Sequence, residues 1–183
     1  MTSHSLSDWW WELNELLSRM PAFRCRVIAL QDFPSDARRL ELIAVAHWIV
    51  NASRCEAAGL ASLEFMSAGR PAVTPAHTAM TEVIDRRNAI VVRSEGTYCG
   101  WPHDVRQHFT TSSHSVDWMS LREAMREAYR ITKYDAARYM AMSDEAMATL
   151  RRFCADTVLV GILAEFLGLD TEPAEDALKM ATA

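Results

Sequence analysis

The sequence lacks most of the features that mark nucleic-acid-binding, secreted or membrane-spanning proteins. Its 183 residues carry a net charge of −5, and no stripe of lysine and arginine stands out, which disfavours a nucleic-acid partner. The four cysteines form no C-x-x-C pair, as expected of a reduced, cytoplasmic protein. The N-terminus lacks the basic region and apolar run of a signal peptide, and the longest apolar run, Val158–Ala164, is too short to span a bilayer.

Several catalytic signatures are also missing. The chain has no G-x-S-x-G motif, which disfavours a serine hydrolase, and no G-x-x-x-x-G-K-[ST] motif, which disfavours a P-loop NTPase. Four potential metal ligands lie within a short stretch, but their spacing is not that of paired structural zinc ligands; they are Cys99, His103, His108 and His114. We therefore expect no metal, although a zinc site in this stretch stays open as an alternative.

What the sequence does contain is an alternation of apolar strands and amphipathic helices. The predicted strands are Phe23–Leu30, His47–Ser53, Pro71–Thr74 and Ala89–Arg93, with a helical pattern between each pair. This order predicts an α/β fold, a Rossmann-like parallel sheet of about four strands with helices on both faces. We expect residues 1–183 to form a single domain.

The C-terminal half is predicted to be helical after one long polar loop, residues 94–115. Helices are expected at Val116–Ile131, Asp135–Met142 and Ser143–Leu167, so that the last helix occupies residues 143–168 with its terminal glycine. That last helix is apolar on nearly all sides, and Trp11 lies off the apolar stripe of the first helix. Both features predict self-association into a homo-oligomer.

The loop Arg54–Gly59 lies between a predicted strand and the helix that begins near Leu60. Ligands of parallel sheets bind in such loops, and a helix N-terminus attracts phosphate. Glu56 in the loop and Glu64 in the helix each offer a carboxylate for the hydroxyls of a sugar. A phosphate site between two sugar-binding carboxylates is the outline of a nucleotide-diphosphate sugar site.

The segment "EAAGLASLE" and the "FMSAGRPAVTPAHTAMTEVIDRRNAIVV" that follows it resemble the donor-binding half of GT-B retaining glycosyltransferases of the family 4 type. That family carries two glutamates in an E-x7-E motif, then a helix, an A-x-G-x-P-V-V strand and a glycine-rich turn. Here Glu56 and Glu64 match the glutamates, and Gly69 and Pro71 match the start of the strand. The resemblance covers about residues 40 to 93.

The resemblance implies a role for each matching residue. Glu56 would be catalytic, contacting the transferred sugar and supporting its oxocarbenium-like transition state, while Glu64 would hold the ribose hydroxyls. The other donor-binding positions would be Ala58, Gly59, Leu60 and Thr78. The family transfers sugar with retention of configuration and generally needs no metal, so no cofactor is expected besides the nucleotide-sugar donor.

The resemblance also implies partners, and it has gaps. Family members bind a glycan or lipid-linked acceptor through a preceding N-terminal domain, often in polysaccharide or cell-envelope glycan synthesis and at the membrane periphery. We see neither that domain nor the basic diphosphate clamp ahead of these motifs. Ala57 and Ala61 also replace the usual Gly and Pro, and "HTAM" replaces a Gly-Gly turn. The alternative is a non-catalytic remnant that acts as a self-associating interaction protein.

Overall fold

The structure, a computed structural model, describes residues 6–20, 25–28, 30, 35–100, 106, 108 and 110–168. The chain divides into two compact units, Met1–Arg38 and Arg39–Ala183. The described residues form an α/β protein, as the strand and helix pattern predicts. None of the helices in these described ranges is long and apolar enough to cross a membrane.

The first unit contains helix α1, Leu6–Ser18, and the start of helix α2, Asp36–Val45. Trp11 is exposed on α1, as its position off the apolar stripe predicts. The predicted strand Phe23–Leu30 is wrong where it can be compared. Cys25–Ile28 and Leu30 are exposed and lie outside any strand, because no neighbouring strand satisfies their backbone groups, and the rest of the segment lies outside the described residues.

The second unit is built on a parallel sheet of three strands in the order β1-β2-β3. The strands are β1, Ile49–Val50, β2, Ala72–Pro75, and β3, Ala89–Val92. Ile49 is paired with Ala72, and Ala72 with Ala89, so the carboxyl ends of all three strands reach the same edge. Three of the four predicted strands are therefore confirmed. β1 and β3 lie within the segments expected for them, and β2 is displaced by one residue and ends at Pro75.

Helices cover both faces of this sheet, because successive strand residues point to opposite sides. On one face, Val73, Ile90 and Val92 pack into a core with the inner side of helix α4, Trp118–Tyr134. On the other face, Ala72 and Ala89 pack with helix α3, Leu60–Ser67, and helix α5, Ala136–Cys154. The predicted two-sided arrangement is confirmed.

Gly69 connects the end of α3 to helix α5. It ends α3 in the left-handed conformation, with φ of 71°, and its N–H donates to the Met66 carbonyl at 3.0 Å. The hydroxyl of Ser143 on α5 donates to the Gly69 carbonyl at 2.7 Å. Arg70, the next residue, donates to the Ile43 and Ala44 carbonyls at 3.2 and 2.6 Å and so caps α2. The Gly-Arg-Pro segment thus joins three helices to the start of β2.

Residues 94–115, expected to be a long loop, instead carry the strands of an antiparallel hairpin. The strands are β4, Ser94–Gly100, and β5, Thr110–Val116. The side chains here are small and polar, and they lack the alternation of apolar residues that reveals a half-buried strand in a sequence. Their threonine and tyrosine content is compatible with strands nevertheless.

The C-terminal helices are divided differently from the prediction. α4 begins after Asp117, whose carboxylate accepts from two backbone N–H groups, and α5 begins after Asp135, whose carboxylate accepts from the N–H of Arg138. α5 continues through Ser143, where a break was predicted, and the chain turns only at Ala155, whose backbone is extended. Helix α6, Asp156–Leu167, follows.

Helix α6 buries little of its apolar surface. Ala164 is its one buried residue, while large side chains are half or more exposed, namely Leu159, Val160, Ile162, Leu163, Phe166 and Leu167. Such a surface is compatible with the expected self-association, which stays a prediction.

We predict opposite effects for two glycine-to-alanine substitutions. A Cβ at Gly69 would meet the Ser143 Oγ at 2.8 Å, and its positive φ is unfavourable for alanine, so Gly69→Ala should destabilise the protein by about 1–3 kcal/mol. Gly161 in α6 has no atom within 4 Å of the added carbon, so Gly161→Ala should stabilise by up to about 1 kcal/mol. Urea unfolding of both variants tests this pair. Equal effects would contradict the role assigned to Gly69.

Candidate functional site

The candidate site begins where the chain leaves β1. The N–H of Asn51 still donates to the Val73 carbonyl at 3.0 Å, and its side-chain oxygen then accepts from the Ser53 N–H at 2.9 Å. The side-chain amide of Asn51 donates to the hydroxyl of Ser62 in α3 at 3.3 Å, and Ser62 is fully buried. Asn51 therefore turns the chain out of the sheet and fixes the loop Arg54–Gly59 above its carboxyl edge.

Gly59 starts α3 in a left-handed conformation, with φ of 71°. Its carbonyl accepts from the N–H groups of Ser62 and Leu63, but no side chain caps the helix. The first N–H groups of α3 are thus open to an acceptor in solution. Ala58 is half-buried and Leu60 is 72% exposed, so the backbone here can be reached.

Thr78 joins this loop to the end of β2. It begins a short 3-10 helix, Thr78–Glu82, and has a φ of 52°, which is unusual for a residue other than glycine. Its hydroxyl oxygen lies 2.5 Å from the Glu56 carbonyl, 3.1 Å from the Ala57 carbonyl and 2.6 Å from the carbonyl of the preceding residue, His77. Its single proton can be donated to one of these oxygens at a time, and the Glu56 carbonyl is the nearest. The conformation is one that glycine adopts easily, at the position where the resembled family has a Gly-Gly turn.

A pair of stacked histidines lies beneath the same loop. His77 is buried, and its Nε2 donates to the Ser53 carbonyl at 3.1 Å. The ring of His114 from β5 stacks on it, with centroids 4.1 Å apart and planes within 4°. The backbone N–H of His114 donates to the Arg54 carbonyl at 2.7 Å, so the hairpin is anchored on the loop.

The surroundings of His114 favour its neutral imidazole. The Nδ1 of His114 is buried and has no hydrogen-bond partner in the part of the chain that the structure describes. Burial, followed by the proximity of His77, lowers the pKa of His114 below its usual value. A proton on this ring is therefore disfavoured while the stack is intact.

The two glutamates of the predicted site are placed differently. Glu56 is half-buried in the loop, and its carboxylate forms no hydrogen bond or ion pair within the described residues. Glu64 is exposed on α3, and its carboxylate pairs with the guanidinium of Arg39 on α2. The structure therefore brings Glu56, Gly59 and Thr78 together with Ala58 and Leu60, whereas Glu64 is directed to a cation of another helix.

Two histidines at this edge, His77 and His114, were not predicted from the sequence to be donor-site residues. His77 follows a predicted strand directly, a position where ligand-binding residues of parallel sheets are found. His114 gave no such signal, because its place depends on the hairpin, which was predicted to be a loop.

The open alternative of a zinc site finds little support. Across the residues that the structure describes, no group of three or more histidine, cysteine or acidic side chains is placed to hold a metal. In the hairpin, Cys99 is opposite Thr111 whereas His114 is opposite Gly96. His103, a further member of the set, lies outside the described residues.

The chain matches no family model, no curated protein and no solved structure. The resemblance to family 4 glycosyltransferases therefore depends on the motifs themselves. Its donor residues other than Glu64 meet at one edge of the sheet, where a ligand of a parallel α/β protein is expected.

We predict that His114 makes the stability of the protein depend on pH. Its lowered folded-state pKa means that the unfolded chain binds the proton more readily, so the free energy of unfolding should fall as pH drops below about 6.5. His114→Phe keeps an aromatic ring on His77 but has no proton to gain, so its stability should fall less over pH 5–7. Urea titrations at several pH values measure this, with His108→Phe as the control at an exposed histidine. An identical pH dependence in the wild type and His114→Phe would contradict the prediction.

Proposed function

We propose that this chain is the nucleotide-sugar-binding half of a retaining glycosyltransferase of the GT-B, family 4 type. The observation that carries the proposal is the junction at Thr78, whose hydroxyl donates to the backbone of the Glu56 loop. Three features meet at this junction, at the carboxyl edge of a parallel sheet. They are the carboxylate of Glu56, which has no partner among the described residues, the start of α3 at Gly59 without a side-chain cap, and the glycine-like backbone of Thr78. The family resemblance assigns donor binding to these same features.

In this proposal Glu56 is the catalytic carboxylate. Its side chain has no partner among the described residues, so its oxygens are available to accept hydrogen bonds from the hydroxyls of the transferred sugar. A negative charge fixed beside the anomeric carbon would also stabilise the positive charge that develops in an oxocarbenium-like transition state. The sugar would be transferred, with retention, to a glycan or lipid-linked acceptor held by a further domain.

The diphosphate would bind at the start of α3. The N–H groups after Gly59 lack a capping side chain, and the helix dipole favours negative charge there, typically by about 0.3–1 kcal/mol. This contribution is small without basic residues to clamp the phosphates. Donor binding by this chain alone should therefore be weak, with a dissociation constant on the order of 1 mM.

Glu64 would hold the ribose hydroxyls, and this role requires an exchange of partners. Its carboxylate pairs with Arg39 in the absence of a ligand. Both side chains are partly exposed, and such pairs contribute little to stability, about 0–1 kcal/mol. Hydrogen bonds from ribose to a charged carboxylate contribute about 1.5–3 kcal/mol, so the exchange is favourable.

The proposal predicts an order of effects in an NMR titration. UDP or another nucleoside diphosphate at millimolar concentration should shift amide signals of Ala58–Leu63 and Thr78. Glu64→Gln should weaken this response about tenfold, because it removes the charge that holds the ribose. Glu56→Gln should leave the response to the diphosphate nearly unchanged and reduce the response to the nucleotide sugar, since Glu56 would meet only the sugar.

The matched control is Glu165→Gln, which makes the same change on the exposed surface of α6. If no nucleoside diphosphate or nucleotide sugar shifts these signals, the donor-site proposal fails. The alternative of a non-catalytic interaction protein would then be favoured, and the exposed apolar side of α6 is the observation that supports it.

A further inference from the structure

The outward side of α4 has an unusual composition. Its inward side, with Leu121, Ala124, Ala128 and Ile131, is buried in the core of the second unit. We call the opposite side the α4 outer face and define it by six exposed residues: Trp118, Arg122, Arg126, Tyr129, Arg130 and Lys133. Each of them lies three or four residues from another member of the set, which places them along one side of the helix. One side of α4 is therefore buried in the core, and the other side exposes aromatic and basic residues.

The charge of this face is opposite to that of the chain. Arg122 and Arg126 share one neighbour, Glu123, at 3.1 and 2.9 Å. Arg130 and Lys133 form no ion pair within the described ranges. The protein as a whole carries −5, yet this face keeps a local excess of positive charge. The absence of a continuous basic stripe in the sequence is thus compatible with a local basic side on α4, which Glu123 interrupts.

Apolar surface lies alongside these charges. A concave surface of about 660 Å³ is bordered by Trp118, Leu121 and Met125, and a second of about 570 Å³ lies between α4 and the edge of the sheet, bordered by Trp48 and Val50. Met125 and Tyr129 border both. Trp118 and Tyr129 are 67% and 59% exposed, so most of the surface of each residue is open to solvent.

We propose that the α4 outer face docks on the surface of an anionic lipid bilayer. Lysine and arginine on an amphipathic helix are attracted by acidic headgroups, and tryptophan and tyrosine prefer the level of the headgroups. The adjoining apolar concavities would accept the upper parts of acyl chains. This inference goes beyond the donor site and does not depend on it, because none of its six residues belongs to that site.

Two other occupants fit less well. An acidic polypeptide would be matched by the arginines, and tryptophan and methionine are common in protein interfaces, but the open apolar surface beside Trp48 and Val50 offers it no charge. Single-stranded nucleic acid would stack on the aromatic rings, yet it tracks grooves of continuous positive charge, and Glu123 interrupts the charge here. Hydrocarbon beside anionic headgroups accounts for both kinds of side chain.

Vesicle flotation with the full chain tests the proposal. At about 0.1 M salt the protein should bind vesicles of phosphatidylcholine and phosphatidylglycerol in a 3:1 ratio, and should not bind pure phosphatidylcholine vesicles. Because the chain is negative overall, binding to anionic vesicles requires a local basic face. Arg130→Glu with Lys133→Glu should lower the partition coefficient at least about tenfold.

The control is Arg86→Glu with Arg151→Glu, which changes the net charge equally at two exposed arginines that form no ion pair in the described part of the chain. It should retain binding within about twofold. Arg130→Gln with Lys133→Gln removes the charges without adding negative ones and guards against a folding defect, and Trp118→Ala should weaken binding several-fold with charge unchanged. Unfolding midpoints establish that each variant is folded.

Three results would overturn the proposal. Equal binding to neutral and anionic vesicles, or to none, would remove the electrostatic basis. An equal loss in the control pair would assign any binding to net charge. If poly-glutamate or a single-stranded oligonucleotide binds through Arg130 and Lys133 while vesicles do not, the face belongs to a different class of partner.

Discussion

The candidate site depends on one short interaction, the donation from the Thr78 hydroxyl to the backbone of the Glu56 loop. Parallel pairing of β1 and β2 brings the two loops to the same edge, but it does not fix their distance from each other. The Thr78 hydrogen bond fixes that distance. The backbone of Thr78 has a positive φ, a strained conformation that persists where the surrounding structure imposes it. Glu56 thereby receives a defined position although its own side chain has no partner among the described residues.

The hairpin adds a third element to this edge. Its strand β5 reaches the loop through the His114 N–H, through the stack on His77 and through a weak contact of the Cys55 thiol with the Ser112 carbonyl at 3.8 Å. The surroundings of His114 lower its pKa, and His77 donates to the carbonyl of Ser53 at the base of the loop. The loop that carries Glu56 is thus supported from β1, from β2 and from the hairpin. Such support from several elements is what a preorganised binding site requires.

Much of this arrangement was predictable from the sequence, and the failures have physical causes. β2 and β3 are buried apolar segments beside helices, and Gly69, of a residue type common after helix ends, ends α3. The hairpin was missed because polar strands carry no alternating apolar pattern, and with it His114 was missed. The Glu64–Arg39 ion pair joins two helices that are distant in the sequence, and no local sequence pattern predicts such a contact. Buried strands and helix ends can therefore be predicted from neighbouring residues in the sequence, whereas the partner of a side chain depends on the tertiary structure.

We infer that the Thr78 hydroxyl holds the loop Arg54–Gly59 in place for the proposed nucleotide-sugar donor. The most direct test compares Thr78→Ser, which keeps the hydroxyl, with Thr78→Val, which keeps the shape and removes it. In NMR titrations with UDP and a UDP-sugar, we expect Thr78→Ser to bind within about twofold of the wild type. Thr78→Val should bind about tenfold more weakly, because it loses the hydrogen bond from the exposed Thr78 side chain to the loop. Wild-type binding by Thr78→Val, or no binding by the wild type itself, would contradict the claim.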